Sequence, residues 1–332
     1  MPADTVDVSA LIPVRDEAAV IRDVARAILA QEFDGSIEFL FVDGRSDDGT
    51  LTILRELAAA DTRIRVLDNP ARRTPHALNI ALRAARGRVI ARMDAHTHYP
   101  PDYLARGVER LRRGGVESVS GPAIAAGDGR WSGRVALALR TRLGTGGADW
   151  RHRADAEFEV ESGFAGLWRR ETLECHGGWD EEWVNDQDSE LAARIRKAGG
   201  TIVCVPAMAA AYLPRDSLPA LAEQYHRYGF YRVKTARRHP ETLRRSHVLA
   251  PGIVLAAAAA VVAPRPVRGV ARAGLVTYAG AVAAESARAA GRDAPAVAAV
   301  FATMHLAWGV GFLRGCAVLG VPWRALSGLA SR

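Results

Sequence analysis

The sequence predicts an α/β protein built on a mostly parallel sheet, and three observations carry that expectation. Short apolar runs alternate with amphipathic segments from Val6 onward, and strands that alternate with helices imply right-handed βαβ units. Aspartates stand where two of the predicted strands end, which is where the ligands of such sheets bind. The 332 residues leave room for a large α/β domain and an appendage.

Val8 to Val14 (V-S-A-L-I-P-V) reads as a buried strand, because the run is almost wholly apolar. Glu17 to Ala30 has the period of an amphipathic helix, and Ile37 to Val42 (I-E-F-L-F-V) reads as a second strand. A helix over Gly49 to Ala59, a strand over Ile64 to Leu67, a helix over Pro75 to Ala85 and a strand over Gly87 to Ala91 continue the pattern. Asp43 follows the second strand and Asp94 the fourth. After Ser120 the alternation lapses into Gly127-Asp128-Gly129 and Gly144-Thr145-Gly146-Gly147, which read as long loops over a site. Helix signals return from Ser189 to Ala198, followed by a strand over Thr201 to Val205. No repeat of fixed period is present.

The net charge of +7 conceals an asymmetry. Beyond Phe230 fourteen Lys and Arg face three acidic residues, a balance of +11, whereas the first 230 residues hold 30 basic and 34 acidic side chains, a balance of −4. Two halves of opposite sign suggest two environments. Beyond His247 the composition shifts to Ala, Val, Gly and Leu. Val248 to Ala263 is uncharged and Ala273 to Ala284 apolar, both short for a span, whereas Ala294 to Leu313 meets the roughly 20 apolar residues that cross a bilayer as a helix. Lys234, Arg237, Arg238, Arg244 and Arg245 precede these segments, as suits a cytoplasmic stretch beside anionic lipid. The reading is therefore a catalytic domain over 1–235, a basic juxtamembrane linker over 236–247, and an apolar helical membrane-associated tail over 248–332 with one to three spans or a re-entrant hairpin. A soluble Ala-rich helical subdomain is the alternative. Cys175, Cys204 and Cys316 are too scattered for a disulfide framework, which fits a reduced, cytosolic catalytic part. No cleavable signal peptide is visible in the first residues.

Asp94-Ala95-His96 separates an acid and an imidazole by one residue, so both can face one ligand from an extended loop. An oxygen and a nitrogen donor suit Mn²⁺ or a similar ion able to neutralise a diphosphate. The bland alternative is a turn-forming aspartate beside surface histidines. In Val42-Asp43-Gly44-Arg45-Ser46-Asp47-Asp48-Gly49-Thr50, a carboxylate at the end of a strand is placed to accept hydrogen bonds from a nucleobase or ribose. Ser46 or Asp47 reads as the N-cap of the helix that follows, which leaves Asp43 unexplained by capping.

In order, these motifs resemble the family 2 glycosyltransferases of the GT-A fold, and most closely the bacterial succinoglycan-type enzymes, over roughly Val8 to Thr235. The resemblance implies a Rossmann-like sheet flanked by helices. It places Pro13 and Glu17 of Ile12-Pro13-Val14-Arg15-Asp16-Glu17, together with Asp43 and Asp94, at the nucleotide sugar. His96 stands where most members have the second aspartate of D-x-D, so the implied cofactor is a divalent metal, Mn²⁺ or Mg²⁺, on Asp94 and His96. Gly177-Gly178-Trp179-Asp180-Glu181 and Asn185-Asp186-Gln187-Asp188-Ser189-Glu190-Leu191 resemble the family's G-G-F-D-E and E-D-x-E-L motifs, which makes Asp188 the implied catalytic base. Gln224-Tyr225-His226-Arg227-Tyr228 resembles Q-x-x-R-W. By that match Trp179, Asp180, Gln224, Arg227 and Tyr228 border the acceptor and the diphosphate. Trp179 reads equally as a sugar platform or as core, and Glu190 with Arg194 as a helix-surface pair.

The resemblance implies an inverting, metal-dependent transfer of a hexose from a nucleoside diphosphate sugar, with UDP-sugars favoured, to a lipid-linked or polysaccharide acceptor in envelope glycan synthesis. It further implies a cell-membrane location with the catalytic domain in the cytoplasm. A sugar nucleotidyltransferase would carry a Gly-rich phosphate loop after the first strand, and Pro13 to Glu17 has no glycine. A membrane-anchored assembly protein without turnover is the non-enzymatic alternative. Walker A and G-x-S-x-G sequences are absent, and the basic residues lie beside apolar segments without interleaved aromatics, which excludes a nucleic-acid partner.

Overall fold

The computed structural model describes residues 6–146 and 156–329. Residues 1–5, 147–155 and 330–332 lie outside it, and with them the segment read for a leader and Gly147 of the predicted glycine loop. Along the chain the elements are β1 (Val8–Val14), α1 (Ile21–Leu29), β2 (Ile37–Asp43), α2 (Thr50–Ala60), β3 (Ile64–Asp68), α3 (Thr74–Ala84), β4 (Val89–Arg92), β5 (Thr97–His98), α4 (Tyr103–Arg112), β6 (Ser118–Gly121) and β7 (Ala123–Ala125). There follow α5 (Ser132–Leu139), α6 (Arg142–Thr145), β8 (Phe158–Glu159), β9 (Phe164–Arg169), α7 (Arg170–Cys175), α8 (Gln187–Lys197), β10 (Ile202–Cys204) and β11 (Ala210–Tyr212). The last five are α9 (Leu218–Arg238), α10 (Ser246–Val262), α11 (Arg265–Ala290), α12 (Ala294–Leu319) and α13 (Trp323–Gly328).

The chain divides into two compact units, one of Met1–Ile124 with Arg153–Tyr212 and one of Ala125–His152 with Leu213–Arg332. The first holds an eight-stranded sheet in the order β3-β2-β1-β4-β9-β6-β10-β8. Strands β3, β2, β1 and β4 run parallel, as the sequence predicts. The antiparallel strand β9 is then inserted between β4 and β6. β10 is parallel to β6, and β8 closes the edge antiparallel to β10. A small second sheet has the order β5-β11-β7.

Alternation explains why β1 and β2 occupy the middle. Side chains of successive strand residues point to opposite faces, and here both faces are covered. Val8, Ala10, Ile12 and Val14 join Phe39 and Phe41 under α1 and α4, while Leu11, Leu40 and Val42 pack with α3 and α8 through Leu78, Leu82, Leu191 and Ile195. Helices on both faces account for apolar runs instead of an in-out pattern.

The order reverses at β1, with β2 on one side and β4 on the other, so the crevice of the sheet opens there. The β1–β4 register ends at Leu11 opposite Arg92, whereas β1 stays paired with β2 as far as Val14 opposite Asp43. Pro13, which has no N–H to donate, falls in the stretch where β1 has no partner on the β4 side.

In the second unit the boundary expected at 235 falls inside α9, and the expected linker 236–247 is taken up by the end of α9, a 3₁₀ turn at Pro240–Thr242 and the start of α10. The Ser217 hydroxyl accepts the Ala220 N–H at 3.3 Å and Pro219 occupies the first turn, so the helix starts there. No proline or glycine interrupts the chain between Phe230 and Arg238, which leaves nothing to stop the helix at 235. Glycines bring α9 and α12 together: a side chain on Gly229 would collide with the Trp308 carbonyl, and one on Gly311 with the His226 carbonyl. Among the described residues, Arg265–Leu319 includes a stretch long and apolar enough to cross a membrane.

Candidate active site

A cavity of about 180 Å³ opens at the carboxyl ends of β1 and β4, lined by Pro13, Arg15 and Glu17 from one strand end and by Arg92, Asp94 and His96 from the other. Arg72 and Arg73 from the loop after β3 complete the wall. Four arginines thus face two carboxylates around one opening, an excess of positive charge suited to a diphosphate.

The turn after β4 explains why Asp94 and His96 share this cavity. The Thr97 N–H donates to the Asp94 carbonyl at 3.2 Å, and the buried Tyr99 hydroxyl accepts the Asp94 N–H at 2.7 Å. The turn carries Ala95 inward and presents Asp94 and His96 to the opening, while His98 points away on β5, exposed. His96 Nδ1 stands 4.0 Å from Glu17 Oε1.

Arg92 organises the site, a role that motif matching gave no reason to assign. Its Nε and Nη2 donate to the two oxygens of Asp94 at 2.8 and 3.2 Å, and its Nη1 donates to Asp188 Oδ2 at 2.5 Å. Asp188 lies in the first turn of α8, 96 residues along the chain. Its other oxygen accepts the Trp179 indole N–H at 3.2 Å. Burial pushes the Asp188 carboxyl above the usual aspartate range, with Asp94 adding to the rise against the pull of Arg92 and the indole. Burial opposes the Asp94 charge too, but Arg92, helped by His96, outweighs it and holds Asp94 below the usual range. The two carboxyls on one guanidinium are thus driven apart in proton affinity, Asp94 downward and Asp188 upward.

Trp179 is 1% exposed and meets Trp168 edge-on at 5.5 Å, so the ring is core and its N–H is what reaches the site. Asn79 on α3 fixes that loop, accepting the Trp179 N–H at 3.0 Å and donating to its carbonyl at 2.7 Å. Asp180 accepts the Glu182 N–H and closes the turn. Glu190 and Arg194 are not a surface pair: Glu190 is fully buried, and Arg194 ties it to the carbonyls of His176 and Gly178, so the pair fastens α8 to the glycine turn before Trp179. Asp43 is 2% exposed and does not line the cavity; the Ser46 hydroxyl donates to it at 2.7 Å. Neither Ser46 nor Asp47 caps α2. Gly49 holds the cap position in the left-handed region, and Asp48 accepts the Thr50 N–H at 3.0 Å, because a φ of +97° there costs a glycine little. Gln224, Arg227 and Tyr228 lie on α9 in the second unit, Gln224 buried, Tyr228 exposed, and Arg227 paired with Glu223 at 2.7 Å.

The donor chemistry fits a divalent cation. Each Asp94 oxygen accepts one arginine bond and keeps a free lone pair, and the His96 nitrogen and the Glu17 carboxylate line the same opening. Among the described residues no three His, Cys, Asp or Glu gather closely enough to hold an ion unaided.

The crevice at the β1 switch point, walled by arginines and lined by Glu17, Asp94 and His96, lies where a sheet of this kind binds its ligand. The chain matches glycosyl transferase family 2 over residues 9–177, and it belongs to that family. It is 34% identical over 231 residues to the succinoglycan biosynthesis protein ExoA of Rhizobium meliloti, covering 69% of this chain and 70% of that one. It is 32% identical over 213 residues to the beta-monoglucosyldiacylglycerol synthase of Trichormus variabilis, covering 60% of this chain and 43% of that one. In structure it resembles the mannosyltransferase PcManGT from Pyrobaculum calidifontis, solved in complex with GDP-Man and Mn²⁺, with a TM-score of 0.60, 21% identity, and 94% and 88% of the two chains covered. The protein is accordingly a GT-A glycosyltransferase.

Proposed function

We propose that the protein transfers a hexose with inversion from a nucleoside diphosphate sugar, a UDP-sugar in the favoured case, to a lipid-linked or polysaccharide acceptor in the synthesis of an envelope glycan. The observation that carries this reading is the pair of carboxyls, Asp94 and Asp188, on the single guanidinium of Arg92 beside the cationic opening. The acceptor class follows the relatives, one a succinoglycan biosynthesis protein and one a glucosyldiacylglycerol synthase.

In this reading Asp94 and His96 hold a divalent cation, Mn²⁺ or Mg²⁺, which when bound neutralises charge on the donor diphosphate. Asp188 takes the proton of the acceptor hydroxyl while that oxygen bonds to the sugar C1 from the face opposite the diphosphate. The bond from C1 to the phosphate oxygen breaks, and its electron pair leaves with the diphosphate. Arg15, Arg72 and Arg73 stabilise the departing charge, and Arg92 aims Asp188 and opposes the burial that raises its carboxyl. The protein works at the cell membrane, attached through its second unit, with the catalytic unit in the cytoplasm.

The test is nucleoside diphosphate release from a panel of UDP-, GDP- and dTDP-sugars, with and without Mn²⁺ or Mg²⁺ and with a lipid-linked saccharide supplied. Metal-dependent release from one donor is expected. Release that is indifferent to chelation would remove the cation from the reading, and silence across the panel with acceptor present would overturn it.

A further inference from the structure

Resting on the reading of Asp188 as the base, we infer that Asn79 is a positioning residue for the transfer: it holds the Trp179 loop so that the indole N–H stays on Asp188 and the base stays in register with the cationic wall of the cavity.

The need for such a residue lies in the geometry of Asp188. The terminal torsion of an aspartate is broad, so one hydrogen bond fixes one oxygen and leaves the carboxylate to turn about it. Arg92 supplies a bond to Oδ2, and the Trp179 indole supplies the other, to Oδ1 at 3.2 Å. Together they fix the plane of the group, and that plane decides where the lone pair that meets the acceptor hydroxyl points. The indole is as much a part of the aim as the guanidinium.

The loop does not hold the indole by itself. Gly177 and Gly178 stand in the left-handed region at φ of +71° and +70°, a pair of permissive residues directly before Trp179. Edge-on packing on Trp168 buries the ring, but apolar contact is non-directional and does not select the tilt that sends the N–H to Asp188. The anchors come from two helices. From α8, Arg194 Nη2 donates to the Gly178 carbonyl at 2.8 Å. From α3, the buried Asn79 side chain accepts the Trp179 N–H at 3.0 Å and donates to the Trp179 carbonyl at 2.7 Å, which fixes the peptide groups on both sides of the residue. Its amide nitrogen also donates to Glu181 Oε1 at 3.1 Å. A side chain on Gly178 would come within 2.6 Å of Asn79 Oδ1, so glycine there is what admits the asparagine.

Helix α3 supplies the register. Thr74 and Ala77 line the cavity beside Arg73, and Asn79 follows Thr74 by about 7.5 Å along the helix axis. The same helix thus carries part of the cavity wall at its start and the anchor of the Trp179 loop less than two turns later. His76 Nε2, 3.3 Å from Glu181 Oε2, ties the same two elements together.

The test is a double-mutant cycle in the full chain between Asn79→Ala and Trp179→Phe. Single-turnover transfer is measured with the panel sugar nucleotide that the wild type turns over and a lipid-linked saccharide as acceptor. Donor binding by calorimetry and thermal melts accompany each variant. Asn79→Ala is expected to slow transfer about tenfold, the worth of a hydrogen bond to a charged group, with donor affinity unchanged. In the Trp179→Phe background, where no N–H remains to be aimed, it is expected to slow transfer by no more than about twofold while lowering the melting temperature as it does in the wild type. An equal slowing in both backgrounds, or transfer at the wild-type rate in Asn79→Ala, would overturn the inference. Should Asn79→Ala fail to fold, Asn79→Asp keeps the acceptor for the Trp179 N–H and loses the donor, and the same cycle applies. Asp188→Asn run alongside separates the two failures. Wild-type transfer in that variant removes the base and this inference together, whereas slow transfer there beside a fast Asn79→Ala removes only the role of Asn79.

Discussion

Replacing Arg92 with methionine keeps an unbranched stem out to the position of Nε and removes the charge that Asp94 and Asp188 share. Three charge-assisted hydrogen bonds disappear, two to Asp94 and one to Asp188. The Asp94 side chain is 8% exposed and that of Asp188 26%, so water replaces little of what is lost. Removing one partner from a buried ion pair costs about 3–5 kcal/mol, and partial exposure of Asp188 puts the expectation near the lower figure. The sign of the activity effect follows from the same geometry. Burial raises the Asp188 carboxyl and Arg92 pulls it down, so without Arg92 the carboxyl holds its proton to higher pH and the acid limb of the rate profile moves upward. Where Asp188 is protonated, turnover falls by the full contribution of a general base, roughly 10²–10⁴-fold. The assay is nucleoside diphosphate release across pH for wild type, Arg92→Met and Arg92→Lys, with thermal melts on each. Lysine keeps the charge but cannot fork between two carboxylates, and should restore part of the shift. A limb that stays in place in Arg92→Met, with turnover unchanged at every pH, would refute the reasoning.

Trp179→Phe preserves the contact with Trp168 but deletes the N–H that Asp188 accepts at 3.2 Å; the acid limb should rise by less than in Arg92→Met, and an unmoved pH profile would detach the indole from the site. Glu38, 1% exposed, accepts from Ser9 at 2.6 Å and from Arg86 and Arg65. Burial works against its charge, but Ser9 and the two arginines win and hold it below the usual glutamate range, so its contribution is present above the unfolded value and is lost as pH falls through the folded one. Glu38→Gln should lose about 1–3 kcal/mol near neutrality, with a gap to wild type that narrows in acid, as read by denaturant melts; a gap independent of pH would contradict this.

The sheet could be read from sequence wherever burial on both faces forces an apolar run, as in Val8 to Val14 and Ile37 to Val42. Asp94, His96 and Asp188 were legible because each sits in a short motif at the end of a strand or the start of a helix. Arg92 was not, because it looks like the polar end of a strand and the partner that gives it meaning lies 96 residues away. Strand β9 was equally hidden: Phe164 to Arg169 enters the sheet antiparallel from a distant insertion, and no local period announces its neighbours. Arg72 and Arg73 follow the end of β3, the same edge that singled out Asp43 and Asp94, and that rule alone would have flagged them. The tail shows the limit of composition, because the apolar run of α12 satisfies the length of a membrane span and the core of a helical unit alike. Only its neighbours distinguish the two.

The most direct test of the account is Asp188→Asn, with donor binding measured by calorimetry beside single-turnover transfer. Donor affinity close to that of the wild type, with transfer reduced about 10²–10⁴-fold, is the predicted result. Transfer at the wild-type rate would contradict it and take the role of base away from Asp188.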